Sequence, residues 1–423
     1  MSLAEVLRRA SWFSRTTLDP DSARVLDELD VGGTPLRWAE VKGAQRSAVL
    51  VLGDNDTALL EAMLTLTTRE SWRTRSGGLV RWRGPVWSEP ALDEVLQTTA
   101  TNAVARVGGD FVLKVYRVLG DDRGEPALLS AMDDCALLPK PLGYLDYENA
   151  DGLPGGCLAL ITHAVVGTPL DQPLRNALRS GWAGRPSYPT DLLRAVGEAL
   201  SALHVRLADG ADAKAMPLTE RLSELMSSLA HVRRTLPRSA EHRHDLLDRC
   251  GVLVRELVFE SDYPAGPRHG DLHLAHVLID DEQQVRFVDP DGQTVQASSP
   301  LDDFAALCRA VECFAADEEV ARTTRELELD KHQYTRELRE AALDPNSLGR
   351  RRAPGARWAS EITRTLTAGV DREALAVPYL LRTLHELRYH GERAGDPAAE
   401  YYADLTWISL AEFVVGLEGA VPA

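Results

Sequence analysis

The apolar positions change their period partway along the chain. Up to about residue 165 they fall in short runs separated by glycine and polar turns, and beyond Pro189 they recur at three- and four-residue spacing. In the first part, Leu3 to Arg9 reads as a short helix leading to Ser11-Trp12-Phe13. Ser47 to Gly53 reads as a buried strand, Asp56 to Leu66 as a helix, and Gly77-Gly78 as a turn. Val104 to Val107, Gly108-Gly109-Asp110 and Phe111 to Tyr116 form the pattern of a β-hairpin with a glycine turn. Glu125 to Met132 follows as a helix, and Leu137-Leu138-Pro139, Gly143 to Leu145 and Cys157 to Ile161 as further strands.

The second part is helical. Leu193, Val196, Leu200, Leu203 and Leu207 share one face of a core helix over 192–207. Helices continue over 218–236, 244–259, 301–315, 334–343, 358–366, 380–389 and 398–417. One stretch interrupts them: between Arg268 and Gly292 the apolar runs Val277 to Ile279 and Val285 to Val288 flank Asp280-Asp281-Glu282. That is a polar hairpin set in a helical region. The order predicts an α+β, bilobal architecture: an N-terminal cap subdomain (1–90), a β-rich lobe (91–165) and a mostly helical lobe (166–423).

Composition narrows the chemistry. With 423 residues, 44% hydrophobic and 26% charged, the chain has the balance of a water-soluble globular protein of more than one core. Its net charge of −17 argues against nucleic acid or an anionic membrane as partner. The five cysteines are scattered without a Cys-x-x-Cys pair, so a reducing cytoplasm is expected and a disulfide framework or zinc ribbon is not. No run approaches the ~20 apolar residues of a membrane span, and the first 14 residues lack a signal peptide's apolar core. Lysine occurs at only five positions (42, 114, 140, 214 and 331), which makes Lys114 inside a strand informative.

Phosphoryl transfer requires a cation for the nucleotide phosphates, carboxylates for a divalent ion and a base for the acceptor hydroxyl. Lys114, flanked by apolar strand residues, supplies the first. Asp271 follows His269-Gly270 at the mouth of the polar hairpin, and Asp289 ends its second strand. Each feature alone has an ordinary structural explanation; together, in this order and context, they point to a kinase-type site. His269, His273 and His276 also invite a metal-site reading. No glutamate stands between His269 and His273, and a zinc site would leave Lys114 and Asp289 without a role.

These residues resemble a known family. His269-Gly-Asp-Leu-His-Leu-Ala-His-Val-Leu278 is similar to the His-Gly-Asp-x-His-x-Gly-Gln-Val-Leu signature of actinobacterial maltokinases, within the aminoglycoside phosphotransferase superfamily. Phe287-Val-Asp-Pro-Asp-Gly292 and Ser299-Pro-Leu-Asp-Asp-Phe-Ala305 resemble the segments that follow it, and Thr101-Asn102, Ser11 to Phe13 and Leu384 to Tyr389 also find counterparts. The resemblance implies a protein-kinase-like fold using ATP and Mg²⁺. It makes Asp271 the base, Asp289 a metal ligand and Thr162-His163-Ala164 the hinge that meets adenine; His276, at the place of a second ligand, either holds the metal or packs structurally. Lys114 would pair with a helix glutamate, for which Glu125 is the nearest candidate, while His269 and Asp303 would support the loop.

Departures fall around the acceptor. His276 replaces the family's metal-binding Gln, Asp291 replaces a Glu, and the segment after Tyr389 differs. The acceptor pocket is expected beside Asp271, lined by His273, Asp291, His385, Glu386 and Tyr389. Such acid-rich surroundings suit an amino sugar. The resemblance therefore implies a small-molecule sugar substrate, glucosamine phosphorylated at O6, for a monomer or homodimer. Maltose 1-phosphorylation, an aminoglycoside-type reaction and a non-catalytic binding module are the alternatives.

Overall fold

A computed structural model of the chain describes residues 2–13, 18–43, 47–99, 101–120, 124–148, 155–182, 188–209, 218–237, 239–257, 266–291, 299–344, 355–393 and 395–418. It divides into two compact units, Met1–Val166 with Asp291–Gln293, and Gly167–Pro290 with Thr294–Ala423.

The first unit begins with α1 (Leu3–Arg9), closed by a capping box between Ser2 and Glu5. Strands β1 (Arg24–Val31) and β2 (Thr34–Lys42) then form a hairpin over Gly32-Gly33, whose positive φ values (62° and 87°) suit a two-residue turn. The apolar pattern did not announce this pair, because a register shift between Val25 and Asp27 breaks the alternation in β1. There follow β3 (Ser47–Leu52), α2 (Asp56–Leu66), β4 (Ser71–Arg73), β5 (Leu79–Arg83), β6 (Leu92–Thr98), β7 (Asn102–Val107), β8 (Phe111–Tyr116), β9 (Val118–Leu119), α3 (Gly124–Ala131), β10 (Pro141–Glu148) and β11 (Gly156–His163). Leu137-Leu138-Pro139 is not a strand: Leu138 N–H donates to Cys135 O in a turn that leads into β10.

Two antiparallel sheets result, ordered β1-β2-β3-β9 and β4-β5-β10-β11-β8-β7-β6. The larger one runs across residue 90, since β5 pairs directly with β10. A single core joins Trp38, Met63, Val80, Leu113, Tyr147 and Ile161. Within it Tyr147 stacks on Trp38 at 4.8 Å and donates its hydroxyl to Asp27 Oδ2 at 2.8 Å. Ser11-Trp12-Phe13 contributes to a second core with Leu7 and Leu50.

The second unit comprises β12 (Thr168–Pro169), α4 (Asp171–Trp182), α5 (Thr190–Ala208), α6 (Leu218–Thr235), α7 (Glu241–Leu257), β13 (Val277–Ile279), β14 (Val285–Phe287), α8 (Pro300–Glu326), α9 (Lys331–Leu343), α10 (Ala356–Leu366), α11 (Arg372–Gly391) and α12 (Pro397–Glu418). The polar hairpin β13–β14 gains β12 as a third strand. All five leucine and valine positions expected on the core face of α5 are buried. Two helices exceed their sequence pattern. α8 continues through an acidic run because Glu318 pairs with Arg175 and Arg179, and Asp317 with Lys331. α11 begins before Pro378, which lies inside it. Among the described residues no helix is long and apolar enough to cross a membrane.

The contact of α5 with α10 depends on a glycine. A Cβ on Gly197 would stand 2.3 Å from Leu366 O, a backbone atom that cannot swing away. We expect Gly197→Ala to lower stability by about 1–3 kcal/mol, read from the urea midpoint. An unchanged midpoint would show that α10 yields without cost.

Candidate functional site

In the first unit, Leu113 and Val115 of β8 point into the core, which turns Lys114 and Tyr116 to the opposite face. Glu125, in the first turn of α3, meets both. Lys114 Nζ donates to Glu125 Oε2 at 2.6 Å, and Tyr116 Oη donates to the same oxygen at 2.6 Å. The pair is largely withdrawn from water, with 14% and 9% of the side chains exposed, so the ammonium is held in one place. Glu125 is thus the partner that sequence spacing left open. At the end of β11, His163 N–H donates to Lys140 O and Ala164 N–H to Asp110 O, so these two backbone donors serve the fold. Thr162 is buried, and the exposed His163 ring lies 4.9 Å from Phe111.

In the second unit the centre is Asp303, buried in the first turn of α8. Its carboxylate accepts from His269 N–H at 2.6 Å, Gly270 N–H at 3.0 Å and His204 Nε2 at 2.8 Å. Burial disfavours the charge, yet the bond from His204 and its companions outweigh burial and hold the Asp303 carboxyl below its ordinary range. Neighbouring Asp302 accepts from Arg268 at 2.8 Å and also from Arg221. His269 donates Nε2–H to Val288 O at 3.0 Å, which ties the loop to the residue before Asp289. Gly270 takes φ 90°, a conformation open to glycine. With its neighbours fixed, Asp271 is left exposed.

His276 lies one turn further on. A carbonyl can only accept, so the 2.7 Å contact with Asp271 O places the proton on Nδ1 and leaves Nε2 as the lone-pair atom. That Nε2 faces Asp289 Oδ2 at 3.6 Å. Asp289 itself has φ 61°, a strained backbone state of the kind found at functional sites. The His273 ring lies 3.6 Å from that of His276, centroid to centroid, and burial, then the neighbouring His276, push its pKa down to about 4. Ligand atoms of Asp271, His273 and His276 all fall within 4.8 Å of one another. The cluster can hold a divalent ion, though its nitrogen content departs from the all-oxygen shells that Mg²⁺ favours.

On α11 the expected acceptor residues divide. His385 and Tyr389 are exposed, and Arg393 lies 3.5 Å over the Tyr389 ring. Glu386 is engaged: Arg309 Nη2 donates to Oε2 at 2.9 Å and Arg382 Nε to Oε1 at 3.2 Å. Burial opposes its ionisation, but Arg309 and Arg382 prevail and keep it a carboxylate. Arg309, buried on α8, also meets Glu312 and Tyr379. Asp291 is exposed.

Sequence reasoning missed His204, Arg309 and Arg382. A histidine interrupting the leucine face of α5 was a usable sign of the first. Arg382, four residues before Glu386, was legible as a helical ion pair. Nothing local marked Arg309.

A sheet-rich unit with a buried lysine–glutamate pair, and a helical unit whose aspartate loop is braced from a helix N-terminus, define a protein-kinase-like phosphotransferase. The phosphotransferase enzyme family (APH) matches residues 94–341, well over half the chain, and the chain belongs to that family. A solved glucosamine kinase in complex with glucosamine, ADP and inorganic phosphate is similar at a TM-score of 0.59 and 18% identity, over 94% of this chain and 96% of that one. A second glucosamine kinase structure, crystal form B, gives 0.55 and 17%, over 97% and 99%. At these identities the likeness is one of fold. No curated protein matches the sequence.

His269, by burial, and His273 are held below the ordinary histidine value of 6.5, so they stay neutral where the unfolded chain takes up protons. The sign follows: stability is lost as pH falls from about 6.5 toward 4, ahead of the carboxylates. Thermal melts of metal-free protein should show this decline, and His273→Gln should shrink it. A flat profile between pH 7 and 5 would contradict it.

Proposed function

We propose that the chain transfers the γ-phosphoryl group of ATP to a hydroxyl of a sugar, with glucosamine converted to glucosamine 6-phosphate as the reading supported furthest. The observation that carries the chemistry is the exposed Asp271 on a loop whose preceding N–H groups end on the buried Asp303. A carboxylate presented in this way can take the proton of an acceptor hydroxyl with little reorganisation. Lys114, fixed by Glu125 and Tyr116, supplies the cation for the nucleotide's phosphates. Asp289 and His276 would hold the divalent ion, expected as Mg²⁺, which offsets negative charge on the γ-phosphoryl group when bound. The acceptor oxygen forms a bond to γ-phosphorus, the bond to the β–γ bridging oxygen breaks with its electron pair leaving on ADP, and the hydroxyl proton passes to Asp271. Thr162, His163 and Ala164 are assigned to the adenine, through groups other than the His163 and Ala164 N–H donors that serve the fold, and His273, Asp291, His385, Glu386 and Tyr389 to the sugar.

Glucosamine is favoured by the similarity to glucosamine kinases over nearly the full chain. One observation favours a second reading: Glu386 is balanced by two arginines, so less negative charge is left for an ammonium than the residue types imply. That arrangement suits a neutral sugar such as maltose.

Asp271→Asn should reduce turnover at least about a hundredfold while ADP affinity stays within a few-fold; near-normal turnover would overturn the base assignment. A survey of ATP consumption with glucosamine, glucose, N-acetylglucosamine, maltose and aminoglycosides tests the acceptor. Glucosamine should exceed glucose in kcat/KM by at least about tenfold, the scale of one polar contact. Equal values would remove the amino group from recognition, and a preference for maltose would establish the second reading.

A further inference from the structure

The donor atoms at the end of the polar hairpin do not match the ion that the kinase reading expects. His276 offers a nitrogen where a hard cation prefers oxygen, and two features prepare that nitrogen for a metal. The Nδ1–H bond to Asp271 O fixes the tautomer, so the Nε2 lone pair faces outward. A histidine ligand whose other nitrogen donates to a backbone carbonyl is the usual support of a metal-bound imidazole. The neighbouring His273 ring, with its centroid 3.6 Å away and tilted by 34°, packs against His276 and limits its movement. His273 Nδ1 accepts from Ala275 N–H at 3.3 Å, so this ring serves the cluster as packing, with its proton on Nε2 when neutral.

The separation of His276 Nε2 from Asp289 Oδ2 adds a geometric argument. At 3.6 Å the two atoms are too far apart for a good hydrogen bond. Two ligands at about 2.1 Å from one ion lie about 3.4 Å apart in a tetrahedral shell and about 3.0 Å apart in an octahedral one. The observed gap exceeds both figures. A small displacement of either side chain closes it around a single ion, and the φ of 61° at Asp289 fixes the direction from which the carboxylate approaches.

We propose that His276 and Asp289 form a mixed nitrogen–oxygen metal site that favours a first-row transition ion such as Mn²⁺ over Mg²⁺. The imidazole supplies a borderline-soft donor, which adds affinity for transition ions and little for Mg²⁺. The assignment deepens the phosphotransferase reading and rests on it only for the ion's place beside a nucleotide.

The test measures binding and ligand identity, not turnover. Full-length protein with ADP is titrated with Mn²⁺, followed by the loss of the free-ion electron paramagnetic resonance signal, and Mg²⁺ affinity is taken from competition. Pulsed spectra of the bound Mn²⁺ then report directly coordinated nitrogen. Wild-type protein should show a nitrogen coupling that His276→Gln abolishes, and the ratio of Mn²⁺ to Mg²⁺ affinity should fall at least about tenfold in that variant. Asp289→Asn should weaken both ions. No nitrogen coupling, an unchanged ratio in His276→Gln, or no uptake of Mn²⁺ would each overturn the proposal. Sugar phosphorylation without nitrogen coupling would overturn this site alone. Nitrogen coupling without phosphorylation of any sugar would uphold the site and overturn the kinase reading.

Discussion

A single buried carboxylate organises the helical unit. Asp303 accepts the N–H groups of His269 and Gly270 and a ring proton from His204. An unpaired charge in that position would be strongly destabilising, so its three donors are as necessary to it as it is to them. Because those donors come from the loop and from α5, the same interaction seats α8 against both. Asp302 repeats the device one residue earlier with Ser299, Arg268 and Arg221. The loop is thereby fixed through its backbone, and Asp271 can face water at little conformational cost.

The sheet-rich unit uses a similar economy. Arg117, 1% exposed, donates to Asp56 and to Thr99 O and lies 4.5 Å over the Trp12 ring. It follows directly after the strand that carries Lys114, so α1's neighbourhood, α2 and the β6–β7 turn are all tied to the end of β8. On the other face of the same strand, Glu125 satisfies Lys114 and Tyr116 together. Two largely buried cations three residues apart are thus each held by a carboxylate, Arg117 by Asp56 and Lys114 by Glu125.

The third network explains why the acceptor chemistry was hard to read. Glu386 had the right type and place for binding an amino group. Folding instead sets it between Arg309 and Arg382, and Arg309 extends the chain of charges to Glu312 and Tyr379. A carboxylate with two guanidinium partners exerts a much weaker field than a free one. Residue type alone therefore overstated the negative character of this region.

Local pattern was enough to determine most strands and helices, the polar hairpin, and the candidacy of Lys114, Asp271 and Asp289, because each depends on neighbours within a few residues. It failed where long-range contacts decide. The β1–β2 hairpin is hidden by a bulge. Pro378 sits inside α11 although proline usually ends a helix. The acidic run in α8 stays helical because arginines of α4 neutralise it. Pairing partners such as Glu125 for Lys114, His204 for Asp303 and Arg309 for Glu386 lie 11, 99 and 77 residues apart, and such separations are settled only when the chain packs. The tautomer of His276, and with it the direction of the nitrogen that faces Asp289, was likewise a decision of the tertiary structure, since it follows from one hydrogen bond to a backbone oxygen.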